Sequence, residues 1–282
     1  MSDRWPLAAR LAPVGLLALL ALVTLAPTGG PLRLASGDSA AATAWTEALD
    51  ALPEDPTVLV GFDPDVGTYA EVRATARAAI ADLLHRDARV VLVSLTVEGR
   101  ALLVAELARL ARLEANPTRL LDLGYLPGAE AALVSLTRGP AVPVDAEGEL
   151  ARRLASEGMS SVDALLVVGG NDLGPRSWVE QVRPRVPALP LLALAPTVLL
   201  PELQPYLESG QLTALLGTPR DGAAYRASVD LGPLERMREL SEPPVAAVFV
   251  GIVAAIVALG QAWARRLAAR LRETGRDGAD GS

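Results

Sequence analysis

The sequence predicts an α/β domain with a doubly wound, mostly parallel sheet of five or six strands. This three-layer sandwich is expected between an N-terminal and a C-terminal transmembrane helix. Fully apolar runs of strand length alternate with helical segments through the middle of the chain. Such strands are typical of a parallel sheet covered by helices on both faces, and right-handed crossovers then give three layers. Two uncharged stretches of 18 residues near the chain ends predict the membrane helices.

The predicted elements follow one another with short connections. The predicted strands are Thr57–Phe62, Arg89–Leu95, Arg119–Leu123, Ala164–Val168, Pro190–Ala195 and Gln211–Leu216. The predicted helices are Ala42–Leu52, Tyr69–Leu84, Glu98–Leu113, Ala129–Thr137, Glu149–Ser156, Trp178–Arg183, Pro201–Glu208 and Leu234–Leu240. In an open parallel sheet, ligands bind beyond the carboxyl ends of the strands, so the loops that follow the strands are the candidate site.

The predicted organisation has seven segments. They are a cytoplasmic N-terminus (1–10), a transmembrane helix or uncleaved signal anchor (11–28), a linker with a short helix (29–56), the α/β domain (57–216), a connector to the membrane (217–243), a transmembrane helix (244–263) and an Arg-rich cytoplasmic tail (264–282). Eighteen helical residues span roughly 27 Å, close to the thickness of a hydrocarbon core. The alternative for the first span is a cleaved signal peptide; Pro27 hinders cleavage after Ala26, which favours the anchor.

Arginine placement predicts the orientation in the cytoplasmic membrane of a bacterium. Arg4 and Arg10 precede the first span, and Arg265, Arg266, Arg270 and Arg272 follow the second, so both termini are expected in the cytoplasm and the α/β domain outside it. The opposite orientation stays open, because Arg33, Arg236 and Arg238 flank the spans on the other side.

Charge and composition narrow the partners and the chemistry. The chain carries −7, the first ten residues +1 and the last twenty +2, which leaves −10 for the residues between them. An acidic domain repels the phosphates of nucleic acid, so nucleic acid is not an expected partner. The expected partners are the lipid bilayer and another membrane protein. The chain has no Cys and a single histidine, His85, which excludes disulfides, thiolate metal sites and multi-His metal sites. His85 ends a predicted helix, where a surface role is expected.

Four loops bring candidate groups to the carboxyl edge of the predicted sheet. They are Phe62-Asp63-Pro64-Asp65, Ser94-Leu95-Thr96, Gly124-Tyr125-Leu126-Pro127-Gly128 and Gly169-Gly170-Asn171-Asp172. The candidate ligand-binding residues are Ser94, Tyr125, Gly128, Gly169, Gly170, Asn171 and Asp172. Candidate catalytic residues are limited to Asp63 and Asp65, and candidate metal ligands to these two and Asp172.

The stretch VLVGFDPDVGTYAE, in which an apolar strand ends in Asp63-Pro64-Asp65, resembles the first motif of the haloacid-dehalogenase-like phosphohydrolases. The resemblance implies a nucleophile at Asp63, an acid/base at Asp65 and Mg²⁺ bound beside them. It also places Ser94 at the second motif and Asp172 within reach of the cation. The chain contains no Lys for the third motif.

Local structure explains the same residues, and we favour this interpretation. Asp63-Pro64 is typical of a turn, because proline fixes φ. The next helix is then capped either by Asp65 or by Thr68 together with Glu71, which have the spacing of a capping box. Under this interpretation the two aspartates have no catalytic role and no cofactor is needed.

The glycine loops admit two interpretations as well. Pro127-Gly128 is predicted to open a helix whose exposed backbone amides are suited to an anion, and the amides of Gly169 and Gly170 are suited to a phosphate. An ordinary strand-to-helix turn explains both loops equally and is favoured. No Gly-Lys-Ser/Thr follows Gly170, so the loop is not a P-loop, and no G-x-G-x-x-G follows the first strand.

The order of YLPGAEAAL, GGND and PELQPYLESGQL resembles a set of uncharacterised bacterial membrane proteins that share an α/β domain tethered by terminal spans. The resemblance implies a fold and an anchor but no activity. The first hypothesis is a non-enzymatic interaction, assembly or ligand-sensing subunit of a bacterial envelope complex. The alternatives are a Mg²⁺-dependent phosphohydrolase that uses Asp63 and Asp65, and a solute-binding domain.

Overall fold

The structure is a computed structural model that describes residues 39–113, 117–139, 142–143 and 148–229. Six strands are present in these ranges: β1 (Thr57–Asp63), β2 (Arg89–Ser94), β3 (Leu120–Tyr125), β4 (Ala164–Gly169), β5 (Leu191–Leu194) and β6 (Ala214–Leu216). The same ranges contain eight α-helices: α1 (Ala40–Asp50), α2 (Val66–His85), α3 (Val97–Leu113), α4 (Glu130–Arg138), α5 (Glu149–Glu157), α6 (Pro175–Gln181), α7 (Leu200–Glu208) and α8 (Pro219–Ser228).

The six strands form one sheet in the order β3-β2-β1-β4-β5-β6. Every neighbouring pair is parallel. Val60 of β1, for example, lies beside Leu92 of β2 on one side and Leu166 of β4 on the other. The predicted α/β class and doubly wound parallel sheet are thereby confirmed.

Helices cover both faces of the sheet, which explains why most positions of the strands are apolar. Val58, Val60 and Phe62 of β1 point into a core formed with α1, α2, α3 and α8. Leu59, between them, belongs to the opposite core, formed with α4, α5, α6 and α7. Successive side chains of a strand point to opposite faces, so a strand covered on both faces needs apolar residues throughout.

The packed unit reaches beyond residues 57–216, the range predicted for the α/β domain. Trp45 of α1 and Tyr225 of α8 are fully buried, and their rings meet edge to face with centroids 5.9 Å apart. The hydroxyl of Tyr225 donates to Asp82 of α2 at 2.7 Å. Helices α1 and α8, which lie in segments predicted as linker and connector, are therefore part of the sandwich.

No helix within the described ranges is long and apolar enough to cross a membrane. The predicted spans at 11–28 and 244–263, the tail at 264–282 and the predicted helix Leu234–Leu240 lie outside the described residues. The membrane anchoring therefore remains a prediction from the sequence.

Candidate functional site

The strand order places the candidate loops at the point where the connections reverse direction. β1 is followed along the chain by β2 on one side of it, whereas β4 lies on its other side. In sheets of this kind, ligands bind in the crevice between these two central strands. Asp63, the last residue of β1, lies opposite Gly169, the last residue of β4. Asp63 and the Gly169–Asp172 loop therefore meet as the sequence predicts.

Asp63 is completely buried, and its side chain contacts the loop that follows β2. Its Oδ1 atom accepts hydrogen bonds from the backbone N–H of Leu95 and of Thr96, both at 2.8 Å, and from the Thr96 hydroxyl at 2.9 Å. Its Oδ2 atom is buried without a hydrogen-bond partner among the described residues. The carboxyl group thus fastens the loop between β2 and α3 to the end of β1.

Burial changes the acidity of Asp63. Removal of the carboxylate from water raises its pKa from 3.8 to about 6, although the hydrogen bonds from Leu95 and Thr96 lower the pKa in part. Desolvation disfavours the charged form of an acid. The unpartnered Oδ2 atom fits this description, because a protonated carboxyl group is less costly to bury than a carboxylate.

Asp65 caps α2, as the local-structure interpretation predicts. Its side chain accepts a hydrogen bond from the backbone N–H of Gly67 at 2.6 Å. The capping box at Thr68 and Glu71 is wrong, because α2 begins at Val66 and both residues lie inside it. Glu71 instead accepts a hydrogen bond from the backbone N–H of Thr197, in the loop after β5, at 2.8 Å.

The loop after β4 packs directly on the end of β1. The backbone N–H of Gly170 and the side-chain amide of Asn171 both donate to the carbonyl oxygen of Asp63, at 3.2 and 3.0 Å. A Cβ atom on Gly170 would lie 2.6 Å from the hydroxyl oxygen of Thr68 and 2.9 Å from the backbone nitrogen of Asp65. The glycine at 170 is thus required by chain packing, and the crevice at this point is filled by the protein itself.

Asp172 and Gly169 have different roles at the same loop. The Asp172 side chain is exposed, and its carbonyl oxygen accepts a hydrogen bond from the Ser177 hydroxyl at 2.7 Å. A Cβ atom on Gly169 would lie 2.6 Å from the Cα atom of Gly174, so this glycine also permits close packing. Among the described residues, no three His, Asp or Glu side chains come close enough together to hold a metal ion.

Ser94 and Tyr125 lie at the ends of neighbouring strands but face different surroundings. The Ser94 hydroxyl is buried and donates to the carbonyl oxygen of Phe62 at 2.8 Å. The Ser94 carbonyl accepts from the backbone N–H of Leu126 at 2.9 Å, which holds the loop after β3 beside β2. The Tyr125 side chain is exposed. Ser94 is thus a structural residue, whereas Tyr125 is open to a partner.

The Gly128 loop enters α4 with unusual backbone angles. Gly128 has a φ of +114°, and the N-cap residue of α4, Ala129, has a φ of +52° and no capping side chain. A shallow groove of about 200 Å³ lies beside this loop, lined by Leu126, Pro127 and the apolar side of α4. The groove is separate from the crevice between β1 and β4, so Gly128 is not brought together with Asp63.

Two residues of the edge were missed by the sequence analysis. Glu98, in the first turn of α3, accepts a hydrogen bond from the backbone N–H of Val66 at 2.8 Å and so completes the capping of α2. Gly99 allows α3 to approach β1, since a Cβ atom there would lie 2.6 Å from the carbonyl oxygen of Phe62. No short-range signal marks either contact, because each joins α3 to an element that is distant in the sequence.

His85 is the last residue of α2 and is exposed, in agreement with the surface role predicted for it. Since α2 returns from the carboxyl edge of the sheet to its amino edge, His85 lies at the opposite end from Asp63. The single imidazole of the chain is therefore not part of the candidate site.

In comparisons with known proteins, no family model and no curated protein sequence matches this chain.

Proposed function

We propose that this protein is a non-enzymatic interaction domain, held at a bacterial membrane, that acts as an assembly or sensing subunit of an envelope complex. The observation that carries the proposal is the complete burial of Asp63. This carboxyl group is the nucleophile that the phosphohydrolase resemblance implies. A nucleophile must reach the reacting atom, at roughly 3–3.5 Å in a productive complex, and a sealed carboxyl group does not offer that approach.

The partners of Asp63 and Asp65 also support a structural role. Oδ1 of Asp63 already accepts three hydrogen bonds, and the side chain of Asp65 is engaged by the backbone N–H of Gly67. Breaking the contacts of Asp63 would leave the buried N–H of Leu95 and the part-buried N–H of Thr96 unsatisfied, at a cost of about 1–3 kcal/mol for a buried donor. Both aspartates are thus accounted for by the architecture of the edge.

The solute-binding alternative relied on free amides in the glycine loops. The Gly170 N–H is used by the Asp63 carbonyl, and the N–H of Leu173 by the side-chain oxygen of Asn171. An anion at this loop would have to displace these contacts and would meet the exposed carboxylate of Asp172. The interaction domain therefore fits the geometry better than an anion-binding module.

The membrane part of the proposal rests on the sequence. The uncharged stretches at 11–28 and 244–263 would hold the domain close to the bilayer, where another membrane protein is the nearest partner. The localisation proposed is the cytoplasmic membrane, with both termini in the cytoplasm and the α/β domain outside.

Co-purification from mild detergent tests the proposal. We expect the full-length protein, tagged at its C-terminus, to recover another membrane protein in a fixed ratio. An unrelated tagged membrane protein, extracted in parallel, is the control and should not recover it. Full-length protein that purifies alone and hydrolyses an aryl phosphate in the presence of Mg²⁺ would contradict the proposal.

A further inference from the structure

Exposed apolar side chains are concentrated at one edge of the sandwich. In the described ranges, five large hydrophobic residues are between 42% and 72% exposed: Val66, Val97, Val104, Tyr125 and Val198. All but Val104 lie at the carboxyl ends of the strands: Val66, Val97 and Val198 follow β1, β2 and β5, and Tyr125 is the last residue of β3. We call these four residues the apolar strip. Single exposed apolar residues are ordinary on a protein surface, whereas a set on one edge indicates a binding surface.

Hydrogen bonds between the loops hold the strip together. The backbone N–H of Val66 donates to Glu98, the residue after Val97, at 2.8 Å. The loop after Tyr125 is tied to the end of β2 through Ser94 at 2.9 Å. Four strand spacings separate β3 from β5, so the strip is roughly 19 Å long at about 4.8 Å per strand. A helix of about 13 residues has the same length.

The Val198 end of the strip is fastened in the same way. The neighbouring residue, Thr197, donates its backbone N–H to Glu71 of α2 at 2.8 Å, across the end of β4. Contacts between separate loops fix the strip before any partner arrives. A fixed surface loses less conformational entropy on binding than a mobile one.

The charge beside the apolar strip is negative. Five carboxylates accompany it, and none of them pairs with an Arg side chain in the part of the chain that the structure describes: Asp65, Glu71, Glu98, Glu130 and Asp172. The nearby arginines Arg100 and Arg176 are paired with carboxylates, at 2.7 Å from Asp122 and 3.0 Å from Glu180. Arg220, exposed in the first turn of α8 after β6, is a cation at this edge without a salt bridge to any described residue, so the carboxylates outnumber it.

The amino edge of the same sheet provides an internal comparison. Several of its charges are paired with each other, as in the contacts of Arg86 with Asp82 at 2.9 Å and of Arg119 with Asp87 at 2.6 Å. Glu54 and Asp55 are exposed there and make no salt bridge among the described residues. None of the five exposed large hydrophobic residues of the described ranges lies there. Among the described residues, the combination of exposed large apolar side chains and unpaired carboxylates is therefore found at the carboxyl edge.

We infer that the apolar strip and its carboxylates bind a cationic, amphipathic polypeptide segment of a partner protein. The inference rests on the proposed function and adds the surface and the chemistry of the partner. Aliphatic side chains of the segment would cover the valines and Tyr125, while Lys or Arg side chains would reach the carboxylates at the rim. Phosphates and anionic lipid headgroups would be repelled by the same carboxylates.

Site-specific photo-crosslinking in cells that make the protein naturally tests the inference. The full-length protein carries p-benzoyl-phenylalanine at Val97 or Val198 in the strip, or at Val104 as the control. Val104 is an exposed valine of the same helix as Val97 but lies away from the strand ends. We expect one protein adduct shared by the two strip positions and absent at Val104. Mass spectrometry should place the crosslink in a segment with net positive charge.

Charge reversal tests the electrostatic part. Asp172→Arg should reduce the adduct yield at Val97 by about tenfold, whereas Glu54→Arg, at an exposed position on the opposite edge, should not change it. Both variants must keep the melting temperature of the unmodified protein. If Asp172→Arg does not, Asp172→Asn removes the charge without added bulk and should lower the yield several-fold.

Three results would overturn the inference. Adducts at Val104 alone would show that the partner binds elsewhere and would leave the proposed function standing. An adduct with lipid, or with a neutral or acidic protein segment, would contradict the partner chemistry. No adduct at any position, from protein that still co-purifies with a partner, would remove the strip as the contact surface.

Discussion

Asp63 and Thr96 are joined by two hydrogen bonds to a single carboxylate oxygen. The backbone N–H of Thr96 donates to Oδ1 at 2.8 Å and its hydroxyl at 2.9 Å. The same hydroxyl oxygen accepts the N–H of Gly99 at 2.9 Å and so caps α3. One threonine therefore connects the end of β1 to the start of α3, and the buried acid serves the fold at the place where a catalytic acid would be expected.

The stability of the domain should fall as pH rises through 6 because of Asp63. Its pKa is about 6 in the folded state, because the carboxyl group is buried, against an ordinary value of 3.8. Since the folded state holds the proton more tightly, the stabilisation is complete below pH 3.8 and is lost as pH rises through 6. The unfolding free energy therefore differs by about 3 kcal/mol at most between the two pH limits. Urea unfolding of the full-length protein in detergent, at pH 4.5 and 7.5, measures it.

Asp63→Asn is the matched control for this pH dependence, because the amide keeps an acceptor for Leu95 and Thr96 but does not titrate. The unfolding free energy of the variant should therefore fall much less between pH 4.5 and 7.5 than that of the wild-type protein. Burial alone would raise the pKa of Glu106, but the hydrogen bonds from Arg77, Arg109 and Tyr69 and the positive charge of Arg77 together lower it, so its contribution to stability changes below this window. Equal pH slopes in the two proteins would show that Asp63 ionises freely in the folded state.

Gly99→Ala should destabilise the domain by about 1–3 kcal/mol, the usual cost of overpacking. The new methyl group would lie 2.6 Å from the carbonyl oxygen of Phe62 and 2.8 Å from the Cα atom of Asp63, so backbone must move. Gly139→Ala is the control, since a Cβ atom there meets no atom within 4 Å. Chemical denaturation compares the two; equal stabilities would contradict the close contact of α3 with β1.

Asp65→Ala should cost about 1 kcal/mol of folding free energy, because the first turn of α2 loses the acceptor for the Gly67 N–H. Thr68→Ala should cost less, since the Thr68 hydroxyl makes only a 3.4 Å contact with the Asp65 carbonyl. The midpoints of urea unfolding rank the two variants. A larger loss for Thr68→Ala would restore the capping box that the structure replaces.

Tyr225→Phe should destabilise the domain by about 1–2 kcal/mol, because a buried carboxylate oxygen of Asp82 loses its donor at 2.7 Å. Tyr206→Phe removes a hydroxyl that donates to Glu180 at the surface, also at 2.7 Å, and should change stability by less than about 0.5 kcal/mol. Thermal unfolding distinguishes them. Equal effects would mean that α8 is not packed on α2.

The sequence predicted the sheet because burial on both faces leaves a strong local signal. Apart from their terminal residues, β1, β2 and β4 are uninterrupted apolar runs, and each was predicted to within one or two residues. β6 is shorter than predicted and begins at Ala214. The preceding residue, Thr213, uses its side-chain hydroxyl to accept the N–H of Leu191. Helix α8 was missed because it has little apolar periodicity, although Thr218 followed by Pro219 is a helix-start signal.

The candidate site was predictable only in part. The four loops share the carboxyl edge because all strands of a parallel sheet end at the same edge. Which loops touch depends on strand order, and only that order places Gly170 against Asp65 and Thr68. The contact of Glu98 with Val66 likewise depends on how two helices approach each other. Long-range contacts of this kind carry no local sequence signal.

An assay of wild-type protein against Asp63→Asn tests the central claim most directly. Both full-length proteins are incubated with an aryl phosphate and Mg²⁺, and their unfolding free energies are measured in the same buffer. We predict no hydrolysis by either protein and a stability difference that varies with pH. Hydrolysis by the wild-type protein that disappears in Asp63→Asn would contradict the account, because it would make Asp63 a nucleophile rather than a structural residue.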